Sequence, residues 1–507
     1  MPDFRDHLHS NPIFECVASV AAKMNLPVWL VGGYVRDLLL NRPCKDIDFV
    51  CLGSAPELAE AVGREIDAKT GRHTQVTVFK TFGTAMLRHG DTELEFVGAR
   101  KESYSPESRK PAVEPGTLED DQNRRDFTVN ALAISLNRED YGSLLDPFNG
   151  LEHLKQKLLC TPVDPDVTFS DDPLRMLRAV RFASQLNFDI DADTFAGIKR
   201  NAARLEIVSP ERINVELNKI ILSLKPSYGF KLLLHADLLN LILPEMVLLL
   251  GAQNVEGHTH KDNFYHTLEV LDGVAKRSND LWLRWAAILH DIAKPETKRL
   301  DPKHGWTFHG HEERGAKMVP KIFRRLRLPL GEQSRFVQKL VRMHLRPISL
   351  VKEGVTDSAV RRLMVEAGND LEALMLLVRA DVTTKNPEKA RRHLAGFDKV
   401  ERHMAEVEAT DKLRSFRPII SGEIVMAVFG LSPGREVGAV KEVVRQAILD
   451  GDVPNSLAGA LPYLLKTGEN HGYKPVMPES EILPFLESLI NPASEEVADT
   501  GEINPGA

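Results

Sequence analysis

Trp29-Leu30-Val31-Gly32-Gly33-Tyr34-Val35-Arg36-Asp37-Leu38-Leu39-Leu40 passes from β-forming residues through a glycine pair into a helical pattern, so it reads as a strand meeting a helix N-terminus. Free amides and the positive end of the helix dipole at such a junction hold phosphate, and Gly32 and Gly33 let a phosphate approach the backbone. Arg36, on the first turn, adds a charge-assisted contact. Taken alone, a Gly-Gly pair is more often a plain tight turn. The sequel Lys45-Asp46-Ile47-Asp48-Phe49-Val50-Cys51-Leu52 changes that balance. Asp46 and Asp48 alternate with apolar residues on a short strand, and residues two apart on a strand share a face, so the carboxylates converge. Converging carboxylates beside a phosphate cradle suit Mg²⁺, a hard cation that shares its shell with substrate phosphates. Without the glycines, two solvent-facing acids on an amphipathic edge strand would be the better reading.

Around this junction lie 507 residues, enough for three or four domains. The 43 % apolar and 27 % charged content is that of a soluble globular chain and excludes disorder for most of it. Lys and Arg total 65 against 72 Asp and Glu, a net charge of −7, so a nucleic-acid site must be a local patch. Cys16, Cys44, Cys51 and Cys160 have no CxxC spacing and read as reduced structural thiols. The most apolar run, Leu238 to Leu250, contains Pro244 and Glu245 and is far short of the ~20 residues that span a bilayer. The N-terminus lacks a basic start, apolar stretch and cleavage site, so a cytoplasmic location without membrane partners is expected.

Short β-type runs at Val28 to Val31, Ile47 to Leu52, Thr74 to Phe79 and Glu93 to Val97 alternate with helical stretches. From Asp171 strand signals nearly vanish, and helical periodicity runs to about residue 490, broken at Pro210, Pro226, Pro244, Pro329 and Pro347. The expected class is α+β, a small mixed-sheet head followed by an all-helical remainder. Lys101 to Asp121, rich in serine, proline and glycine, reads as a mobile loop.

Two further charged knots follow. In Arg124-Arg125-Asp126-Phe127-Thr128-Val129-Asn130 the arginines beside a carboxylate suit triphosphate or ribose, or form an ordinary surface ion pair. In Asp171-Asp172-Pro173-Leu174-Arg175-Met176-Leu177-Arg178-Ala179-Val180-Arg181, Asp172 is expected as N-cap and Pro173 as first helical residue. Capping accounts for Asp172 but not for arginines at every third position. In this order, LVGGYVRDLLL…KDIDFV, RRDFTVNALA and DDPLRMLRAVRFA resemble the class II tRNA nucleotidyltransferases, the CCA-adding enzyme and poly(A) polymerase family of the polymerase β superfamily. The resemblance covers residues 28 to about 220. It implies that Asp46 and Asp48 bind the catalytic Mg²⁺, and that Gly33, Arg36 and Arg125 hold the nucleotide, with Gly32 and Asp126 in the same site. It further implies that Asp172 and Arg175 form an amino-acid template reading the Watson–Crick edge of C or A, supported by Arg178 and Arg181. A guanidinium donates in a fixed fork and a carboxylate only accepts, so such a pair rejects a base with the wrong pattern. Glu95 is a candidate third carboxylate or a plain exposed strand residue.

Behind this region, His266, the pair His290-Asp291, His311, His344 and Asp381 fall among helices. Histidines with carboxylates suit a divalent transition metal or Mg²⁺. His266, His290, Asp291 and Asp381 resemble the HD superfamily of metal-dependent phosphohydrolases, with HKDNFYHTLEV…AAILHDIAKP the most similar portion. His311 and His344 are candidate ligands of a second metal, or substrate-side or structural residues. The implied organisation is a nucleotidyltransferase head at 1–150, a helical neck at 151–250, an HD domain at 251–390, a helical tail at 391–494 and an acidic disordered end at 495–507. Between Lys321 and Arg346 eight basic residues face the single acid Glu332, a patch able to contact phosphates. The expected function is CCA addition to the tRNA 3′ end from CTP and ATP, with HD phosphohydrolase activity. The alternatives are a CC-adding or A-adding relative, a poly(A) polymerase, or an RNA-binding phosphohydrolase with an inactive head.

Overall fold

Val28–Val31 and Asp46–Cys51 form strands where β-branched and aromatic residues cluster, and they pair antiparallel with Val31 opposite Asp48. Asp46–Cys51 also pairs parallel with Thr92–Gly98, which sets Glu95 opposite Asp48. The complete seven-stranded mixed sheet runs Val76–Phe79, Thr84–His89, Thr92–Gly98, Asp46–Cys51, Val28–Val31, Ala133–Ser135 and Leu144–Leu145. This computed structural model describes residues 3–490 except 72, 80–82, 106–107, 252–253, 256–257, 260–261, 302–304, 354–355, 385 and 412–417, so the acidic end at 495–507 lies outside the described residues. The expected α+β class, a mixed-sheet head followed by helices, is what forms.

Strand alternation divides Asp46–Cys51 between two environments. Ile47, Phe49 and Cys51 enter the core, where Phe49 stacks on Phe96 at 4.9 Å and meets Phe14 at 6.4 Å. The helices Pro12–Lys23 and Ala55–Thr70 cover that face with Phe14, Leu58, Val62 and Ile66. Asp46 and Asp48 take the opposite face. Directly paired residues share a face, so Met86, Glu95, Asp48, Val31 and Ala133 form one row across the sheet.

The head holds one strand that the sequence does not announce and one ladder where a loop is expected. The strand Thr84–His89 escapes the sequence reading; it pairs with Thr92–Gly98 through a tight turn in which Gly90 takes φ +62°. Residues expected as a loop after Lys101 instead form an antiparallel ladder, Arg100–Ser105 with Ser108–Pro115, followed by the helix Leu118–Asn123. A two-stranded ladder has two outer edges, where proline costs no hydrogen bond.

Beyond the head, the expected breaks at Pro210, Pro226 and Pro244 form, each proline opening the next helix, whereas Pro347 lies within the helix Leu345–Glu353. The helix after Asp172 begins one residue later than expected, at Leu174, with Pro173 as its flanking residue. Asp172 still caps it, its Oδ1 accepting from the Leu174 amide at 3.2 Å. Short ladders interrupt the helices, among them Leu158–Leu159 with Asp189–Ile190 and Arg299–Asp301 with Gly305–Thr307. Buried Arg284 donates to the carbonyls of Ile221 at 2.8 Å and Ser223 at 2.9 Å, satisfying the end of the neck helix Pro210–Ile221 from the helix Leu281–Leu289.

By its contacts the chain divides into two units, residues 1–341 and 342–507. The second is helical from Leu345–Glu353 to Glu479–Ile490, with Val425, Val428, Val440, Val444, Leu464 and Leu486 in its core. Among the described residues no helix is long and apolar enough to cross a membrane. The basic stretch is partly neutralised: Arg325 pairs with Glu245 at 2.5 Å, Arg327 with Glu211 at 3.4 Å, and Arg346 with Glu366. The acids come from outside the stretch, so counting within it overstates the charge left for a partner.

Candidate active sites

The head site is built where the strand Val28–Val31 turns into the helix Gly33–Leu39. Gly32 holds φ +75°, and a Cβ there would lie 2.9 Å from both Arg125 Nη1 and Asp48 Oδ2. The positive φ therefore favours glycine, and any Cβ would also press on the ends of the Arg125 and Asp48 side chains. At Gly33 the nearest such neighbour is the flexible end of Arg36, 3.6 Å away. Asp46 is exposed and Asp48 half-buried on the next strand, and Glu95 is exposed beside Asp48. Burial pushes the Asp48 carboxyl up to about 6, with Glu95 and Asp46 adding to the rise and Arg125 opposing it. A half-buried carboxylate crowded by two others gains from a nearby cation, and three oxygen donors on one sheet face fit Mg²⁺.

Around these carboxylates the arginines are each held by a defined partner. Arg36 donates through Nε to Asp37 at 2.9 Å and through Nη1 to Asn130 Oδ1 at 2.8 Å. Asn130 in turn donates to Asp126 Oδ1 at 2.9 Å. Asp126 is nearly fully buried and receives Arg178 Nε at 2.7 Å. Burial would raise the Asp126 carboxyl, but Arg178 and Asn130 hold it down at about 2. Arg125 donates from Nε and Nη2 to Asp121 Oδ2 at 3.0 and 2.9 Å, while Arg124 pairs with the other oxygen of the same buried carboxylate. Arg181 forms a buried pair with Glu216 at 3.1 Å. Burial, with Arg178 and Arg36 nearby, takes the Arg181 guanidinium down to about 10 against the pull of Glu216.

Asp172 and Arg175 flank the first turn of the helix Leu174–Leu186. Arg175 reaches back to the carbonyls of Arg124 at 2.6 Å and Thr168 at 3.3 Å, and Asp172 Oδ2 accepts from Arg212 at 3.4 Å. The fold thus draws Gly32, Gly33, Arg36, Asp46, Asp48, Glu95, Arg125, Asp126, Arg178 and Arg181 into connected contacts, with Arg175 tied to the Arg124 backbone. Sequence reasoning misses Asp121, Asn130 and Arg212 as members. The first two lie four residues from Arg125 and Asp126, a helical spacing that carries a weak signal; Arg212 carries none.

The rear site gathers His266, His290, Asp291 and His311 within the first unit. Asp291 Oδ2 lies 3.4 Å from His266 Nε2 and 3.2 Å from His290 Nε2, and Oδ1 lies 3.3 Å from His311 Nε2. His290 and His311 tie Nδ1 to the carbonyls of Ala287 at 2.8 Å and Phe308 at 2.7 Å, which turns Nε2 inward. Imidazoles oriented by a backbone carbonyl around a buried carboxylate fit a divalent metal. Lys294 donates to Asp291 Oδ2 at 2.6 Å. Burial would raise the Asp291 carboxyl, but His290, Lys294 and His266 hold it well below the usual carboxylate range. His344 is buried, Asp381 ends the helix Leu371–Asp381, and both belong to the second unit.

Known families match in the same places. The Poly A polymerase head domain matches residues 28–160, the probable RNA and SrmB-binding site of polymerase A matches 187–249, and the HD domain matches 263–384. The Multifunctional CCA protein of Nitrosococcus oceani is 36 % identical over 343 residues, 64 % of this chain and 78 % of that protein. The A-adding tRNA nucleotidyltransferase of Deinococcus radiodurans is 34 % identical over 434 residues, 84 % of this chain and 92 % of that protein. A solved tRNA nucleotidyltransferase complexed with a primer tRNA and an incoming ATP analog superposes with a TM-score of 0.54 at 26 % identity, covering 76 % of this chain and 98 % of that one. By motif order, site geometry and these matches, the chain belongs to the tRNA nucleotidyltransferase family with a poly A polymerase-type head, and it carries an HD domain behind that head.

Proposed function

We propose that the protein extends the 3′ end of tRNA, transferring C and A from CTP and ATP to complete CCA without a nucleic-acid template. The observation that carries this reading is the row of carboxylates, Asp48 beside Glu95 with Asp46 on the same face, set against the Gly32 turn and Arg125. Mg²⁺ held by Asp46 and Asp48 would offset charge on the transferring phosphate and the leaving pyrophosphate. Gly32 and Gly33 admit the triphosphate to the helix N-terminus. Arg36 and Arg125 hold its charge, and Asp172 with Arg175 read the base edge. Arg178 and Arg181 support the nucleotide from the same helix, held by Asp126 and Glu216.

The A-adding relative aligns with 84 % of this chain, which favours A addition alone as the second reading. Purified protein is incubated with Mg²⁺, labelled CTP or ATP, and tRNA lacking its last three, two or one nucleotides. Incorporation of C and then A is expected. A addition only to the CC-ended form selects the second reading, and no incorporation on any form rejects both. In the rear site, His266, His290 and Asp291 would hold a divalent metal supplying Lewis-acid activation for hydrolysis of a phosphoester.

A further inference from the structure

Phe182, next to last in the motif DDPLRMLRAVRFA, sits at the centre of an arrangement to which the template reading gives no role. It is 7 % exposed, and three guanidinium groups lie over its ring: Arg36 at 5.0 Å, Arg178 at 5.4 Å and Arg181 at 4.1 Å from the centroid. Its edge contact with Phe127, at 5.9 Å and 85°, fixes the ring against the segment that also carries Arg125 and Asp126. Each guanidinium has its own acceptor elsewhere, namely Asp37 and Asn130, Asp126, and Glu216. The three cations therefore converge on one aromatic ring while being held by acceptors in different parts of the chain.

Three like charges this close in a half-buried setting repel one another. An aromatic ring both separates them and offsets the repulsion, because its quadrupole presents negative faces to cations. An aliphatic side chain of similar volume would separate them without the attraction. We propose that Phe182 is a positioning residue for nucleotide recognition: the ring sets the headings of the Arg36 and Arg178 guanidiniums so that they meet the incoming CTP or ATP. This rests on the nucleotidyltransferase reading of the head. Arg181, closest to the ring and paired with buried Glu216, anchors the arrangement from the neck helix Pro210–Ile221.

The test uses the full chain with Phe182→Leu, Phe182→Met and Phe182→Tyr, measuring CTP and ATP binding by calorimetry, KM and kcat for each nucleotide, KM for tRNA, and melting temperature. Leu and Met keep bulk without the quadrupole, and Tyr keeps the ring. Loss of the three cation–π contacts, two of them to arginines that meet the nucleotide, is expected to weaken nucleotide binding and raise nucleotide KM about tenfold in the Leu and Met variants. The tRNA KM should stay as in the parent, and Tyr should restore nucleotide KM to within about threefold. Unchanged nucleotide KM in folded Leu or Met protein overturns the proposal. Equal defects in Leu and Tyr overturn it as well, as does unfolding of Leu and Met while Tyr stays folded, since the ring would then serve the fold alone. Asp48→Ala in the same assay separates the two levels: incorporation that survives it rejects the head reading itself. Incorporation lost with Asp48 but indifferent to Phe182 rejects only the positioning role.

Discussion

Arg178 closes on Asp126 with two nitrogens, Nε at 2.7 Å and Nη2 at 2.6 Å, both on the single oxygen Oδ2. The remaining oxygen accepts from Asn130 at 2.9 Å and from the Phe127 amide at 2.9 Å, so a carboxylate 6 % exposed has every lone-pair direction engaged. This pair joins the arginine-rich knot of the head to the helix Leu174–Leu186.

The pair has a pH signature. The folded Asp126 carboxyl lies at about 2 against an ordinary value of 3.8. A depressed folded value means that the stabilisation is fully present above the ordinary value and is lost as pH falls from about 4 to about 2. The contribution at neutral pH is about 2 kcal/mol. Asp126→Asn should melt well below the parent at pH 7, and the gap between the two proteins should narrow steadily below about pH 4. A gap that stays constant across that window in melting curves contradicts the pairing.

Gly32 and Gly33 should respond differently to the same substitution. Gly32→Ala puts a side chain into a positive-φ position and against Arg125 and Asp48, so it should cost about 1–2 kcal/mol and remove most incorporation. Gly33→Ala keeps its amide and meets only the movable end of Arg36, so the fold should be retained with modest loss of nucleotide affinity. Denaturant unfolding and labelled-nucleotide incorporation on both variants check the order.

Asp121 is completely buried and binds Arg124 and Arg125 with separate oxygens. Asp121→Asn removes the charge opposite both, leaving two guanidiniums under-compensated, and should destabilise the protein by about 3 kcal/mol. Arg125, released from its tether, should bind nucleotide more weakly. Urea unfolding and calorimetric titration with CTP measure the two effects separately. A variant as stable as the parent would show that Asp121 does not hold the arginines.

The parts of the site that are legible in the sequence are those whose evidence is local. Gly32-Gly33 shows in one strand-to-helix junction, and Asp46 with Asp48 in one strand's alternation. His290-Asp291 shows as a pair that a helical apolar pattern does not need. What escapes is set by pairing between distant segments. Glu95 shows in the sequence only as a candidate, and the choice between third carboxylate and plain strand residue turns on the parallel register that places it opposite Asp48. Arg212 reaches Asp172 from forty positions away, and Phe182 is set apart only by the three arginines around its ring. The ladder at residues 100–115 escapes for a related reason, because its serine and proline content describes a loop while its backbone partners describe strands.

The two candidate metal sites use separate side chains, so on the proposed reading they should fail separately. His290 is completely buried, its Nδ1 is held by Ala287, and its Nε2 faces Asp291 at 3.2 Å. His290→Ala removes an imidazole oriented by the Ala287 carbonyl, so bound divalent metal measured on the purified protein should fall to a small fraction of the parent's. Incorporation of C and A in Mg²⁺ should persist near the parent rate, because the head draws on Asp46 and Asp48 instead. Asp48→Asn should do the reverse, abolishing incorporation and leaving the rear metal content as in the parent. A chelator selective for transition metals, added to the parent with Mg²⁺ present, should reproduce the His290→Ala pattern without any substitution. If His290→Ala removes incorporation while the protein remains folded, the two sites are coupled and this independence is wrong.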